Sequence, residues 1–273
     1  MTEGEEFTWL TALILGCVEG LTEFLPVSST GHLILVGDWL GFEGEKSGLV
    51  EIVIQGAAIL AVCWEYRRKL FDTVCELGTR SEARHFASNI AVAFMPLAIV
   101  GLLFGNAIKE ALFNPYAVAV ALLAGGIVIL LVDRGHGSPR ILETERMPLW
   151  VAAALGCFQA LALFPGTSRS AATIIGGRLL GLSRICATEF SFFLAIPTLL
   201  AATGYSLFKA RHVFDAGDLG PLALSSVAAF LTALVAIRGF IRFVSTHTFA
   251  AFAWYRIALG VLVLGWAKFG GWV

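Results

Sequence analysis

The sequence predicts an all-α polytopic membrane protein, and three observations carry the prediction. Of 273 residues, 58% are hydrophobic and 14% are charged, with a mean hydropathy of +0.81. A soluble domain of this length does not need so much apolar sequence. The apolar runs are long and do not alternate, which argues against a transmembrane barrel. Two further apolar stretches, 9–40 and 149–182, resemble each other and are broken at Pro26 and Pro165, where serine, threonine and glycine follow.

The elements follow in chain order. Residues 9–40 are expected as a re-entrant helix–loop–helix segment. A proline break exposes backbone N–H and C=O groups, which membrane depth tolerates only inside protein or beside a water-filled cavity. Spans are expected at 48–66, 86–106 and 115–132. A second re-entrant segment covers 149–182, and three more spans are expected at 186–208, 220–241 and 249–270. Each span is near the ~20 residues needed to cross. Pro96 and Pro197 fall inside spans and read as kinks.

The two broken segments align as Gly16-Cys17-Val18-Glu19 with Gly156-Cys157-Phe158-Gln159. With a one-residue gap before the proline, Phe24 meets Phe164, Pro26 meets Pro165 and Ser29 meets Ser168. The repeat continues from Glu51 to Gln55 and from Glu189 to Phe193. Glu51 and Glu189 read first as acids at helix N-termini, stabilised by the dipole, and second as acids that support the site. Each half, about 9–132 and 149–270, is then one re-entrant segment plus three spans. An odd span count gives the second half the opposite orientation, an inverted-topology repeat within a single membrane domain.

Lysine and arginine placement orients the chain. Arg67, Arg68, Lys69, Arg80, Arg84, Arg134, Arg140, Arg146, Arg178, Arg184, Arg238 and Arg242 fall on one side, which is read as cytoplasmic. Lys46, Lys109, Lys209, Arg211 and Lys268 fall on the other. The first broken segment then enters from outside and the second from the cytoplasm. Glu3, Glu5 and Glu6 stand where a secretory leader carries basic residues, so no cleaved leader is expected. The net charge of −1 implies no nucleic-acid partner. The cysteines form no CxxC pair and read as small apolar core residues.

Chemistry concentrates at the two breaks. Glu19 and Glu23, spaced i and i+4, share one helix face. Two carboxylates inside a membrane call for something positive between them, and oxygen ligands favour Mg²⁺ or Ca²⁺. The alternative is a protonated glutamate capping nearby backbone. Ser28, Ser29, Thr30 and His32 supply hydroxyls beside an imidazole, fit for an activated nucleophile or general acid/base, or else for helix capping. Gly166, Ser168, Arg169, Ser170 and Thr173 have the composition of a phosphate cradle at a helix N-terminus. Arg169 could instead pair with Glu19 or Glu23 and merely join the halves. Arg256, inside the last span, needs a partner that the sequence does not name. The sum is a site for a phosphate or pyrophosphate ester whose remainder is a lipid.

The run from Glu19 to His32 (EGLTEFLPVSSTGH) resembles the first signature of the undecaprenyl-pyrophosphate phosphatase, or bacitracin-resistance, family. The run from Pro165 to Thr173 (PGTSRSAAT) resembles its second. The resemblance implies a bacterial inner-membrane hydrolase acting on a polyprenyl pyrophosphate. It would use a divalent cation and have an active site open to the periplasmic side. It implies Glu19 and Glu23 as metal-associated acids, Ser29 and His32 as nucleophile and acid/base, and Ser168, Arg169 and Thr173 as the phosphate-binding group. With the residue reading, the expected catalytic residues are Glu23, Ser29, His32 and Arg169, and the expected substrate contacts are Ser28, Thr30, Ser168, Arg169, Ser170 and Thr173. Either Ser29 or His32 would attack phosphorus. The partners are the lipid substrate and the membrane itself; assembly, a homodimer included, is left open. The rival reading is a lipid or ion transporter, since inverted repeats with broken helices are also transporter architecture.

Overall fold

The computed structural model describes residues 7–112, 114–134, 138–209 and 213–269. Glu3, Glu5, Glu6 and Arg211 lie outside them, as do the side chains of Lys109 and Arg134. The described chain is helical, with no strand among the described residues. Its helices are α1 (Trp9–Thr22), α2 (Ser29–Leu40), α3 (Glu45–Glu65), α4 (Arg67–Glu76), α5 (Ser81–Leu112), α6 (Pro115–Arg134), α7 (Leu149–Ala160), α8 (Arg169–Leu179), α9 (Arg184–Lys209), α10 (Leu219–Thr246) and α11 (Ala250–Lys268). Six of these, α3, α5, α6, α9, α10 and α11, are long and apolar enough to cross a membrane. They fall at the six expected spans.

One element was not expected. The basic loop after the first span contains helix α4. Its Phe71 and Val74 are exposed beside Arg67 and Arg68, the pattern of a helix lying in a membrane surface.

Both broken segments stop and restart in the same way. Ser28 caps α2 by accepting the Gly31 N–H at 3.4 Å. Ser168 caps α8 by accepting the Ala171 N–H at 3.2 Å. Both serines adopt the left-handed backbone region, with φ of 72° and 66°. Each restarted helix then ends on a left-handed glycine, Gly41 or Gly181. In each case the next N–H reaches back five residues, Phe42 to Gly37 and Leu182 to Gly177, a Schellman ending.

These matched positions correct the sequence register. Gly16/Gly156, Ser28/Ser168 and Gly41/Gly181 share one offset with no gap. Ser29 therefore corresponds to Arg169 rather than to Ser168, and the two prolines sit one position apart. The aligned prolines suggested the gap, but a proline can break a helix from either of two adjacent positions.

Packing crosses between the halves. Helix α1 lies along α10, α7 along α5, α6 along α11 and α3 along α9. Gly16 and Gly156 allow two of these approaches. A Cβ on Gly16 would stand 2.2 Å from the Ser225 carbonyl oxygen, and one on Gly156 would stand 2.5 Å from that of Ala93. Small residues that bring backbones together are how helices associate in lipid, where apolar burial gives no advantage. Of the cysteines, only Cys186 is buried; Cys75 and Cys157 are exposed, so the core reading holds for Cys186 alone.

Candidate active site

The two breaks meet at Glu23. This residue caps α1 in a helical conformation, its N–H bonded to the Glu19 carbonyl, which keeps its side chain on the Glu19 face. Ser29, the first residue of α2, donates its hydroxyl to Glu23 Oε2 at 2.6 Å. Arg169, the first residue of α8, donates to Glu23 Oε1 from Nη2 at 3.3 Å and from Nε at 3.4 Å. Arg169 Nη1 donates to the Ser191 carbonyl at 3.0 Å. Gln55 Nε2 donates to Glu23 Oε2 at 3.4 Å. Glu23, Ser29 and Arg169 are all buried. A buried charge pair needs such supplementary bonds to offset the loss of water. The ion pair considered from sequence thus exists, and it goes to Glu23.

The remaining hydroxyls divide into two groups. Ser28, Ser29, Thr30, Ser168 and Arg169 line one cavity. Both helix N-termini therefore open on it, and helix N-termini favour an anion. Ser170 and Thr173 hold the framework instead. Ser170 donates to the Leu25 carbonyl of the first break at 2.7 Å. Thr173 shares a 2.6 Å bond with the Ser191 hydroxyl.

His32 points elsewhere. Its Nδ1 donates to the Ser28 carbonyl at 2.7 Å, and its Nε2 accepts from the Tyr255 hydroxyl at 2.6 Å. It lines a groove of about 530 Å³ with Leu21, Leu25, Phe240, Phe252 and Tyr255. The structure does not bring His32 into the cavity that holds Glu23 and Ser29.

Glu19 is fully buried, and both its carboxylate oxygens lack a hydrogen-bond partner. It lines a second cavity with Ser29, Glu51 and Gln55. A buried carboxylate without a donor fits a cation better than it fits apolar surroundings. Among the described residues, no three histidine, cysteine, aspartate or glutamate side chains form a ready metal cluster. A cation here would rely on Glu19, Glu23 and neutral oxygens.

Glu51 and Glu189 depart from the dipole reading, and Glu51 falls to the second reading, beside the site. Both lie in the second turn of their helices, beyond the reach of the N-terminal dipole. Glu51 faces the Glu19 cavity, and Glu189 accepts from the Tyr66 hydroxyl at 3.4 Å.

The sequence left Arg256 without a partner, and the structure supplies four carbonyls. Its Nη2 donates to Ala121, Gly166 and Thr167, each at 3.1 Å, and its Nη1 donates to Pro26 at 3.4 Å. One fully buried guanidinium thus holds both breaks against α6. Gln55, Ser191 and Tyr255 were also missed as site residues. Their only sequence signal is a polar group in the middle of an apolar span.

The chain is 55% identical over 262 residues to a protein of Methylococcus capsulatus named undecaprenyl-diphosphatase, covering 96% of each chain. It is 56% identical over 264 residues to one of that name from Dechloromonas aromatica, covering 97% of this chain and 96% of the relative. It is 51% identical over 267 residues to another from Pseudomonas putida, covering 98% and 96%. The family model described as bacitracin resistance protein BacA matches residues 12–262. With its two breaks inside that match and in contact with each other, the chain belongs to the bacitracin resistance protein BacA family.

Proposed function

We propose that this protein is a membrane phosphatase. It hydrolyses undecaprenyl pyrophosphate to undecaprenyl phosphate and inorganic phosphate, the activity that the names of its relatives give them. The observation that carries the reading is the Ser29 hydroxyl on Glu23, on the same cavity as Arg169 and two helix N-termini. Glu23 takes the hydroxyl proton as Ser29 Oγ attacks the terminal phosphorus. The bridging P–O bond breaks, and the lipid phosphate leaves with the bonding electrons. Water then attacks the phosphoserine, Ser29 recovers its proton through Glu23, and inorganic phosphate departs. Arg169 and the helix N-termini stabilise the oxygen charge that develops on phosphorus.

A divalent cation, Mg²⁺ or Ca²⁺, would be held by Glu19 and Glu23 and would neutralise phosphate oxygens. His32, turned away from Ser29, supports the first break rather than attacking. We further propose the inverted repeat, with the exchange of packing partners between halves as its support. The charge distribution supports a bacterial inner-membrane location with the site open to the periplasm. The names of the relatives favour the phosphatase over the transporter reading.

The test is phosphate release from undecaprenyl pyrophosphate by purified protein, with Ser29→Ala beside His32→Ala. Loss in Ser29→Ala with substantial activity left in His32→Ala is the expected result. An active Ser29→Ala would overturn the serine mechanism. A wild type that releases no phosphate would overturn the phosphatase.

A further inference from the structure

The cluster stands between two cavities of different chemistry. One, about 420 Å³, is acidic, with Glu19, Asp38, Glu43 and Glu51 in its wall. The other, about 250 Å³, is lined by Arg169 and its partner Glu23, by Ser28 and Ser168, and by apolar residues. Ser29, Thr30 and Gln55 line both. Among the described residues, Arg169 is the one cation in either lining, so a pyrophosphate seeks the second cavity and is repelled by the four acids of the first. Whatever is bonded to that pyrophosphate must leave through the second cavity too.

The apolar part of that cavity is a slot between α5 and α9. Its walls are Leu97 of α5 and Leu199 and Ala202 of α9, with Leu163 and Phe164 of the second break across it. Each wall carries a proline, Pro96 next to Leu97 and Pro197 next to Thr198. Proline lacks the N–H for its helical bond and clashes one turn back, which opens a helix locally. The rim reaches the outside of the bundle: Phe164 is 44% exposed and Ala202 is exposed.

We propose that the lipid chain of the pyrophosphate leaves the site sideways through this slot. The proposal rests on the phosphatase reading and adds where the tail lies. The slot is smaller than the about 300–1,000 Å³ of a pocket that encloses a drug-sized ligand. It holds only the isoprene units nearest the pyrophosphate, and the rest of the chain lies in the bilayer. The groove beside His32 is larger, but the first break walls it off. Leu25 and Val27 face that groove while Ser28 faces the anion seat.

The experiment uses full-length protein in lipid nanodiscs with undecaprenyl, farnesyl and methyl pyrophosphates, the last without an isoprene unit. Ala202→Trp fills the slot, and Ala251→Trp fills the rival groove. Ala202→Trp is expected to raise KM for the two longer substrates about tenfold and to leave the methyl pyrophosphate KM unchanged. Ala251→Trp is expected to shift none of them. Phe164→Ser places a hydroxyl in the slot wall; it should shift the same two substrates and decides the matter if Ala202→Trp does not fold. Equal shifts on all three substrates, no shift, or a chain-selective loss in Ala251→Trp overturns the slot. A wild type inactive on every pyrophosphate overturns the phosphatase reading and the slot with it, whereas an active wild type confines any failure to the slot.

Discussion

Ser29 and Arg169 occupy the same place in the two breaks, each the first residue of a restarted helix, and they bind opposite oxygens of Glu23. One break contributes a neutral hydroxyl at that position and the other a cation. The carboxylate that joins them belongs to the first break alone. On the proposed mechanism, that one matched position supplies both the nucleophile and the cation that faces the phosphate.

Ser29→Ala and Glu23→Gln should each lower phosphate release by about 10²–10⁴-fold, the range of a lost acid–base pair. Because the two act as a unit, the double variant should be little worse than either single one. Single-turnover release on purified protein measures all three. Losses that multiply in the double variant would show that the two act separately.

Arg169→Lys keeps the charge but loses the planar fork that spans Glu23 and the Ser191 carbonyl. Release should fall while the fold persists. Arg169→Ala leaves Glu23 buried without its cation, a change that typically costs about 3–5 kcal/mol. Adding Glu23→Gln to an Arg169→Met variant should restore the thermal midpoint without restoring activity.

Glu19→Gln is nearly isosteric and replaces the buried carboxyl that has no hydrogen-bond partner. It should leave stability unchanged or raised, since an unpaired buried carboxylate is itself costly. It should also weaken activation by Mg²⁺ or Ca²⁺ about tenfold or more. A titration of activity against metal after chelation reads this, and an unchanged midpoint would remove Glu19 from the cation site.

Arg256→Met leaves four carbonyls of the breaks and α6 without their donor. Thermal stability in detergent should fall by several degrees and activity should fall with it. Arg256→Lys should fall between, having fewer donors to share. Gly125→Ala should resemble Arg256→Met, because its Cβ would stand 2.3 Å from Arg256 Nη2.

Outside the membrane, Lys69 of α4 forms an ion pair with Glu145 in the loop before α7. Burial alone would raise the Glu145 carboxyl. The Lys69 ammonium and the Thr144 hydroxyl nevertheless hold it below the ordinary glutamate range. A lowered acid stabilises the fold above its unfolded pKa, about 4.3, and loses that contribution as pH falls through the folded value. Glu145→Gln should therefore lower the thermal midpoint modestly at pH 7, and the difference should vanish once pH falls below the lowered folded value.

The six spans and both breaks were legible because length and hydropathy dictate the first and proline the second. Glu23, Ser29 and Arg169 were legible as charge and hydroxyl inside apolar sequence. The direction of His32 was not, since a side chain three positions after Ser29 can face either side of the first break. The partners of Arg256 were hidden because they are backbone carbonyls, which every residue carries. The repeat register was misplaced by trusting two prolines over two serines, whose shared left-handed backbone no residue type announces.

The Arg256 guanidinium has a consequence for motion. Its donors reach carbonyls from both breaks and from α6, and Ser170 ties one break to the other through Leu25. Rocking one half against the other would tear these bonds and strand a cation at membrane depth on every cycle. The clasp sets a barrier against alternating exposure to the two faces.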